Sequence, residues 1–163
     1  MINTIEYNLI NELFEYKNGF LFRKIARGKK FKENTQAGRL HPNGYRYVNI
    51  NKKNYLEHRI IFLMLNGYLP KEIDHIDGNP NNNKIENLRE ANHSQNSFNT
   101  KIRTDNTSGV KCVAWNKLKQ KWTVRMVIDG KRKFLGDYDE LAIAKIVADT
   151  ARLNHHKEFA RNV

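Results

Sequence analysis

Asp74-His75-Ile76-Asp77-Gly78-Asn79-Pro80-Asn81-Asn82-Asn83-Lys84-Ile85-Glu86-Asn87-Leu88-Arg89, followed by Asn92-His93-Ser94-Gln95-Asn96, carries more information than any other stretch of this chain. An acid and an imidazole stand side by side ahead of a turn dense in Asn, Gly and Pro. Short apolar segments at 73–76 and 85–89 flank that turn and are expected to be extended. Asn92 can cap a following helix, with Gln95 three residues on as its capping-box partner. The expected order is strand, loop, strand, helix. Neighbours on a strand point to opposite faces unless the strand bends, and Gly78 and Pro80 can supply a bend after Asp74 and His75. Asn87, twelve residues after His75, would lie across the hairpin, where its amide could fix the loop or the imidazole. Asn96, on the closing helix, can present an amide oxygen to an ion held by Asp74. Two protein oxygens completed by waters and substrate phosphate oxygens is how Mg2+ is usually held, Mn2+ being the alternative. A neutral His75 could then take a proton from water, and the set implies metal-dependent phosphodiester hydrolysis.

The charge balance agrees with a polyanionic substrate. The 163 residues hold 29 Lys and Arg against 17 acids, a formal charge of +12, with a sequence pI near 9.8. Such an excess suits a nucleic acid, because each neutralised phosphate releases counterions. A membrane surface is not expected, since no basic amphipathic helix, lipidation signal or long apolar run is present. The start, Met1-Ile2-Asn3-Thr4, lacks a charged-then-apolar signal pattern, so a cytoplasmic protein is expected (the host cytoplasm if phage-encoded), acting as a monomer. With Cys112 the one cysteine, a four-cysteine structural zinc site and an internal disulfide are both excluded. Cys112 itself is expected to be a small buried residue on a strand.

Three zones follow along the chain. Residues 1 to about 55 read as short strands with turns, the clearest being Phe20-Leu21-Phe22-Arg23 and the alternating Tyr45-Arg46-Tyr47-Val48-Asn49-Ile50 after His41-Pro42-Asn43-Gly44. A helix is expected over 56–66, with Leu56, Ile60, Leu63 and Met64 on one face and Gly67 as its stop. The motif zone runs from about 70 to 102, and residues 100–108 look like a polar linker. Strands are then expected at 110–115, 122–128 and 131–135, with Asp129-Gly130 as a hairpin turn, and an Ala-rich helix at 141–153. Ala144, Ala148 and Ala151 give that helix a flat face for a sheet. Trp122, Val124, Met126 and Ile128 should form the core face of the middle strand, leaving Arg125 outward. Lys111, Trp115 and Lys117 on one strand, and Lys131 and Lys133 on another, would reach bases or phosphates.

Asp-His, an Asn twelve residues after the His and another Asn nine further on resemble the HNH, or ββα-metal, nuclease motif, over roughly residues 35 to 102. The phage homing endonucleases of that family are the most similar, and His58-Arg59 and Asn43-Gly44-Tyr45 fit the same group. The resemblance implies His75 as general base, Asp74 and Asn96 as metal ligands, and Asn87 as the brace of the loop. His58 and Arg59 are candidates for the scissile phosphate, the alternatives being a His58 packed against the sheet and an Arg59 paired with an acid. Many members have His at the third motif position, where this chain has Asn96 as the homing branch does. Ser108-Gly109-Val110, Trp115, Lys121-Trp122, Phe134-Leu135-Gly136 and Tyr138, with the Ala-rich helix, resemble an APETALA2-type DNA-binding domain over about 106–160. In that family a three-stranded sheet lies in the major groove, backed by one helix. Together the two imply an α+β protein: an HNH domain at 1–102 and a sheet-and-helix domain at 103–163, acting on double-stranded DNA.

Other readings were weighed against these. Asp77, Asn79 and Asn81 suggest a calcium loop, but its sixth position is Asn82 and its twelfth Leu88, which lack the required Gly and acid. Residues Asn79 to Asn83 are expected to shape the turn and do no chemistry. His93 should face solvent or substrate, and His155-His156 should lie on the surface past the last helix. A non-catalytic DNA-binding regulator with an inactive motif is the alternative function.

Overall fold

The computed structural model describes residues 4–26, 32–100, 102, 104–128, 130–156 and 159–160. Among them four helices and several small antiparallel sheets make a mixed α+β structure. Two compact units divide the chain, Met1–Asn92 and His93–Val163. Of the stretch read as a linker, Lys101 and Arg103 lie outside the described residues, as do Met1 to Asn3 and the turn residue Asp129.

The first unit opens with a helix, α1 (Thr4–Leu13), where only strands and turns were expected. Its signal is weak because Asn8 and Asn11 interrupt it, but Tyr7, Ile10 and Phe14 recur at helical spacing, and Ile10 and Phe14 are buried. The Tyr7 hydroxyl also reaches the Met64 carbonyl oxygen, 3.5 Å away. Strands β1 (Phe14–Lys17) and β2 (Phe20–Arg23) form a hairpin. Asn18 and Gly19 at its tip both have positive φ, 49° and 86°, as a two-residue turn between right-twisted strands requires. A second sheet orders β3 (Arg39–Leu40), β4 (Arg46–Ile50) and β5 (Lys53–Leu56). Helix α2 (Glu57–Asn66) buries Ile60, Ile61 and Leu63 and stops at Gly67, whose N–H donates to the Leu63 carbonyl at 2.9 Å.

Glu57, at the start of α2, is fully buried. It accepts the Leu21 N–H at 2.8 Å and Arg46 Nε at 2.6 Å, while Arg46 also donates to the Gly38 carbonyl. A side chain at position 38 would run into the Glu57 carboxylate. Burial pushes the Glu57 carboxyl up from its ordinary value, against the pull of these two donors. One carboxylate thereby ties β2, β4 and the Gly38 backbone to the first turn of α2.

The motif hairpin pairs β6 (Glu72–His75) with β7 (Leu88–Ala91), Asp74 opposite Arg89 and His75 opposite Leu88. Before β7, residues Ile85–Asn87 form a 3₁₀ turn in place of the expected extended segment. The Asn87 N–H bond to the Lys84 carbonyl at 2.9 Å closes it.

The second unit contains α3 (His93–Phe98), a sheet in the order β10-β9-β8, and α4 (Leu141–His156). The strands are β8 (Val113–Asn116), β9 (Lys121–Ile128) and β10 (Lys131–Tyr138), all antiparallel. Ala144 and Ala148 are wholly buried with Val113 and Val124, the close contact that small side chains allow. Cys112 is not on a strand: it sits half-buried in the turn before β8 with φ of 67°, and burial raises its thiol pKa. Nor does α4 end before the paired histidines. It continues through His156, which is buried and stacks on Phe98 with ring centroids 3.6 Å apart, its Nε2 lying 3.3 Å from the Val127 carbonyl oxygen. His155 is exposed, as expected.

Candidate active site

Asp74 and His75 end β6, and both are buried. Asp74 faces its cross-strand partner Arg89, whose Nη2 and Nε lie 2.7 and 2.8 Å from the same oxygen, Oδ2. His75 points Nε2 at the side-chain oxygen of Asn83, 3.0 Å away. Its ring meets the imidazole of His58 edge to face at 4.9 Å, and Tyr45 stands 5.6 Å from His58 and 6.1 Å from His75. Burial, with the nearby charges of His75 and Arg59, holds the His58 pKa down to about 3. His58 is therefore a neutral neighbour of His75 at ordinary pH.

The loop between the strands is closed by its own amides. Asn87 accepts the Asp77 N–H at 3.0 Å and donates to Asp77 Oδ1 at 3.0 Å and to the Asn82 carbonyl at 2.8 Å. Asp77 also accepts the Asn79 N–H and the Asn82 amide, at 2.8 and 2.7 Å. Partial burial opposes charge on Asp77, but these bonds and the proximity of His75 outweigh it and keep the carboxyl below its ordinary range. Asn87 thus fixes the loop, while the imidazole is held by Asn83, to which the sequence suggested only turn shaping. The four Asn residues look alike in sequence; the inward turn of one depends on distant contacts.

Arg59 donates to the Pro70 and Lys71 carbonyls, at 3.1 and 3.2 Å, and steadies the chain entering β6. Asn96 lies on α3 and His93, exposed, begins that helix, so both belong to the second unit. No group of three or more His, Cys, Asp or Glu that could hold a metal gathers among the described residues. A hard divalent ion needs no such cage, since one or two protein oxygens suffice when water and phosphate complete its shell. The carboxylate of Asp74 and the amide oxygen of Asn96 are donors of that hard type, and they fit Mg2+ or Mn2+ in chemistry.

Residues 55–98 match the family described as HNH endonuclease. Over 98 residues the chain is 40% identical to Protein 3.8 of Escherichia phage T7, an alignment covering 59% of this chain and 80% of that one. The chain belongs to the family of that phage protein and carries an HNH endonuclease domain. No solved structure matches it. The matched region of this HNH protein contains His58, Asp74, His75, Asn83, Asn87 and Asn96.

The sheet of the second unit divides the remaining candidates. Directly opposed residues of antiparallel strands share a face, and successive residues alternate. Lys131 opposes Ile128 and Lys133 opposes Met126, which puts both lysines on the face where Val124 and Met126 are buried. Arg132 opposes Val127 and Phe134 opposes Arg125, so the open face carries Arg125, Val127, Arg132 and Phe134. All four are exposed, Phe134 at 57%. Trp115 opposes Trp122, 4.9 Å ring to ring, and so lies on the face of Val124 with the two lysines, not beside Arg125 as expected. Lys117 lines one concave surface with Arg125 and Arg132. Lys111 and Lys117 are in turns rather than on β8, and Lys111 lines a different cavity, with Arg152 and His156. Arg132 and Phe134 were missed by the sequence reading, although the expected Asp129-Gly130 hairpin turn would pair 128 with 131, as observed, and so set the phase of β10.

No helix among the described residues is long and apolar enough to cross a membrane.

Proposed function

We propose that this protein is a divalent-metal-dependent endonuclease of homing type that hydrolyses phosphodiesters in double-stranded DNA. The observation that carries the reading is the buried pair Asp74-His75 at the end of β6, beside a loop braced by Asn87, within the stretch that matches the HNH family. His75 takes a proton from the attacking water. Asn87 keeps the loop rigid, so that the imidazole need not reorganise during reaction. His58, neutral and edge-on, adds no positive charge beside the base. Asp74 and Asn96 hold Mg2+ or Mn2+, which when bound stabilises charge on the scissile phosphate and the leaving 3′ oxygen. Products carry 5′ phosphate and 3′ hydroxyl ends. His58 and Arg59 remain proposed phosphate neighbours, which requires Arg59 to exchange its carbonyl partners for phosphate oxygens.

The division of labour is cutting by residues 1–102 and reading by an APETALA2-type domain at 103–163. Arg125 and Lys117, with Arg132, present the reading surface, while Trp115, Lys111, Lys131 and Lys133 meet DNA at its margins. Plasmid nicking in Mg2+ or Mn2+, against a chelator control, tests the activity. His75→Ala should slow cleavage by about 10²–10⁴ with DNA affinity retained. A variant that cuts within a few-fold of the parent removes His75 as the base, and a parent that never nicks leaves a non-catalytic DNA-binding protein.

A further inference from the structure

Asn83 is almost wholly buried, and its Oδ1 lies 3.0 Å from His75 Nε2. An amide oxygen only accepts, so this contact places a ring proton on Nε2. The other end of the same amide, Nδ2, is buried without a hydrogen-bond partner. A side chain present only to shape a turn has no reason to bury half an amide unsatisfied; its bond to His75 supplies that reason.

Asn83 is itself held from outside the matched stretch 55–98. A Cβ on Gly19, at the tip of the β1–β2 hairpin, would fall 2.9 Å from the Lys84 nitrogen and 3.2 Å from the Asn83 carbonyl carbon. Only glycine permits this approach at a φ of 86°. On the same hairpin, the Tyr16 hydroxyl oxygen accepts the Ile85 N–H at 3.1 Å. The hairpin therefore clamps residues 83–85 from behind.

We propose that Asn83 is the positioning residue for His75, fixing its Nε2–H tautomer, and that the β1–β2 hairpin holds Asn83 in register through Gly19 and Tyr16. This rests on the reading of His75 as general base. Residues of this kind, acting on a site through the group they orient, typically change function by about 10–100-fold when removed.

The test uses full-length protein with 15N-labelled histidine. Long-range 1H–15N spectra of the metal-free protein report the tautomer, with His75→Ala assigning the signals, and plasmid cleavage reports kcat and KM. In the parent, Nε2 of His75 is expected to be the protonated nitrogen. Asn83→Ala should admit the Nδ1–H tautomer and lower kcat about 10–100-fold, with KM little changed. Asn83→Asp keeps an acceptor oxygen in place, so Nε2 should stay protonated and most of the lost kcat should return. Tyr16→Phe, which removes the clamp without touching Asn83, should move both readouts in the direction of Asn83→Ala, to a smaller extent. An unchanged tautomer in Asn83→Ala, with kcat within about three-fold of the parent, overturns the proposal. A shifted tautomer with undiminished kcat supports the positioning and overturns instead the assignment of His75 as base.

Discussion

Replacing Arg46 by Met tests whether the buried carboxylate at the head of α2 governs the stability of the HNH unit. Glu57 is fully buried and the Arg46 side chain 11% exposed, so their pairing is little weakened by water. Removing one partner of such a pair costs about 3–5 kcal/mol, because the other charge stays buried without compensation. Met keeps packing against Phe20, over which the guanidinium sits at 5.0 Å, so the lower end, about 3 kcal/mol, applies. In urea that is a fall in midpoint of roughly 1–3 M. The sign with pH follows from protonation. Glu57 has a folded pKa raised above its unfolded one, so its contribution is fully present below the unfolded pKa and is lost as pH rises through the folded value. Losing Arg46 raises the folded pKa further. The gap between parent and variant should therefore be widest at pH 7 and should narrow towards pH 5. His58 titrates in both proteins and cancels in the difference. Adding Glu57→Gln to Arg46→Met removes the stranded charge while leaving an oxygen to accept the Leu21 N–H, and should recover at least half of the loss. A cost under about 1 kcal/mol at pH 7, or a gap that does not change with pH, would refute this reasoning.

Asp74→Ala should abolish measurable Mg2+ or Mn2+ binding by calorimetry, and Asn96→Ala should weaken it less, since a neutral amide oxygen contributes less than a carboxylate; unchanged affinity in the Asp74 variant removes its ligand role. Arg125→Ala and Arg132→Ala, on the open face of the sheet, should each weaken DNA binding by about 1–3 kcal/mol if they meet bases, or lower the salt slope by roughly one if they meet phosphates. Lys133→Ala, on the opposite face, should do less in the same titrations, and an equal effect would place the reading surface elsewhere.

Much of this architecture was legible because its signals are local. Helix α2 follows from apolar spacing ended by Gly67, β6 from its position before a Gly-Asn-Pro turn, and β9 from strict alternation around Arg125. The flat alanine face foretold how α4 meets its sheet. Failures came where a choice is settled at long range. Helix α1 is a short segment with two asparagines, stabilised by packing Ile10 and Tyr7 rather than by propensity. The lysines of β10 were placed by alternation without a phase, although the preceding turn supplies it. His156 read as a surface residue because nothing nearby announces Phe98, fifty-eight positions earlier, as its stacking partner. Asp74, His75 and Asn87 stood out through their spacing, whereas Asn83 did not, since the contacts that hold residues 83–85 against Gly19 and Tyr16 span more than sixty residues.

The stacking of Phe98 on His156 bears on how such proteins are recombined. Helix α3 is the last element of the stretch that matches the HNH family, yet its aromatic anchor is the final residue of α4. A chimera joined at residue 103 would keep Asn96 and discard the ring that packs against its helix. A junction at residue 93 would carry both, and would import the amide proposed as a metal ligand together with the foreign sheet. Exchange of target preference between relatives is thus expected to succeed at seams ahead of α3, and the inherited cassette is longer than the sheet and helix proposed to read DNA.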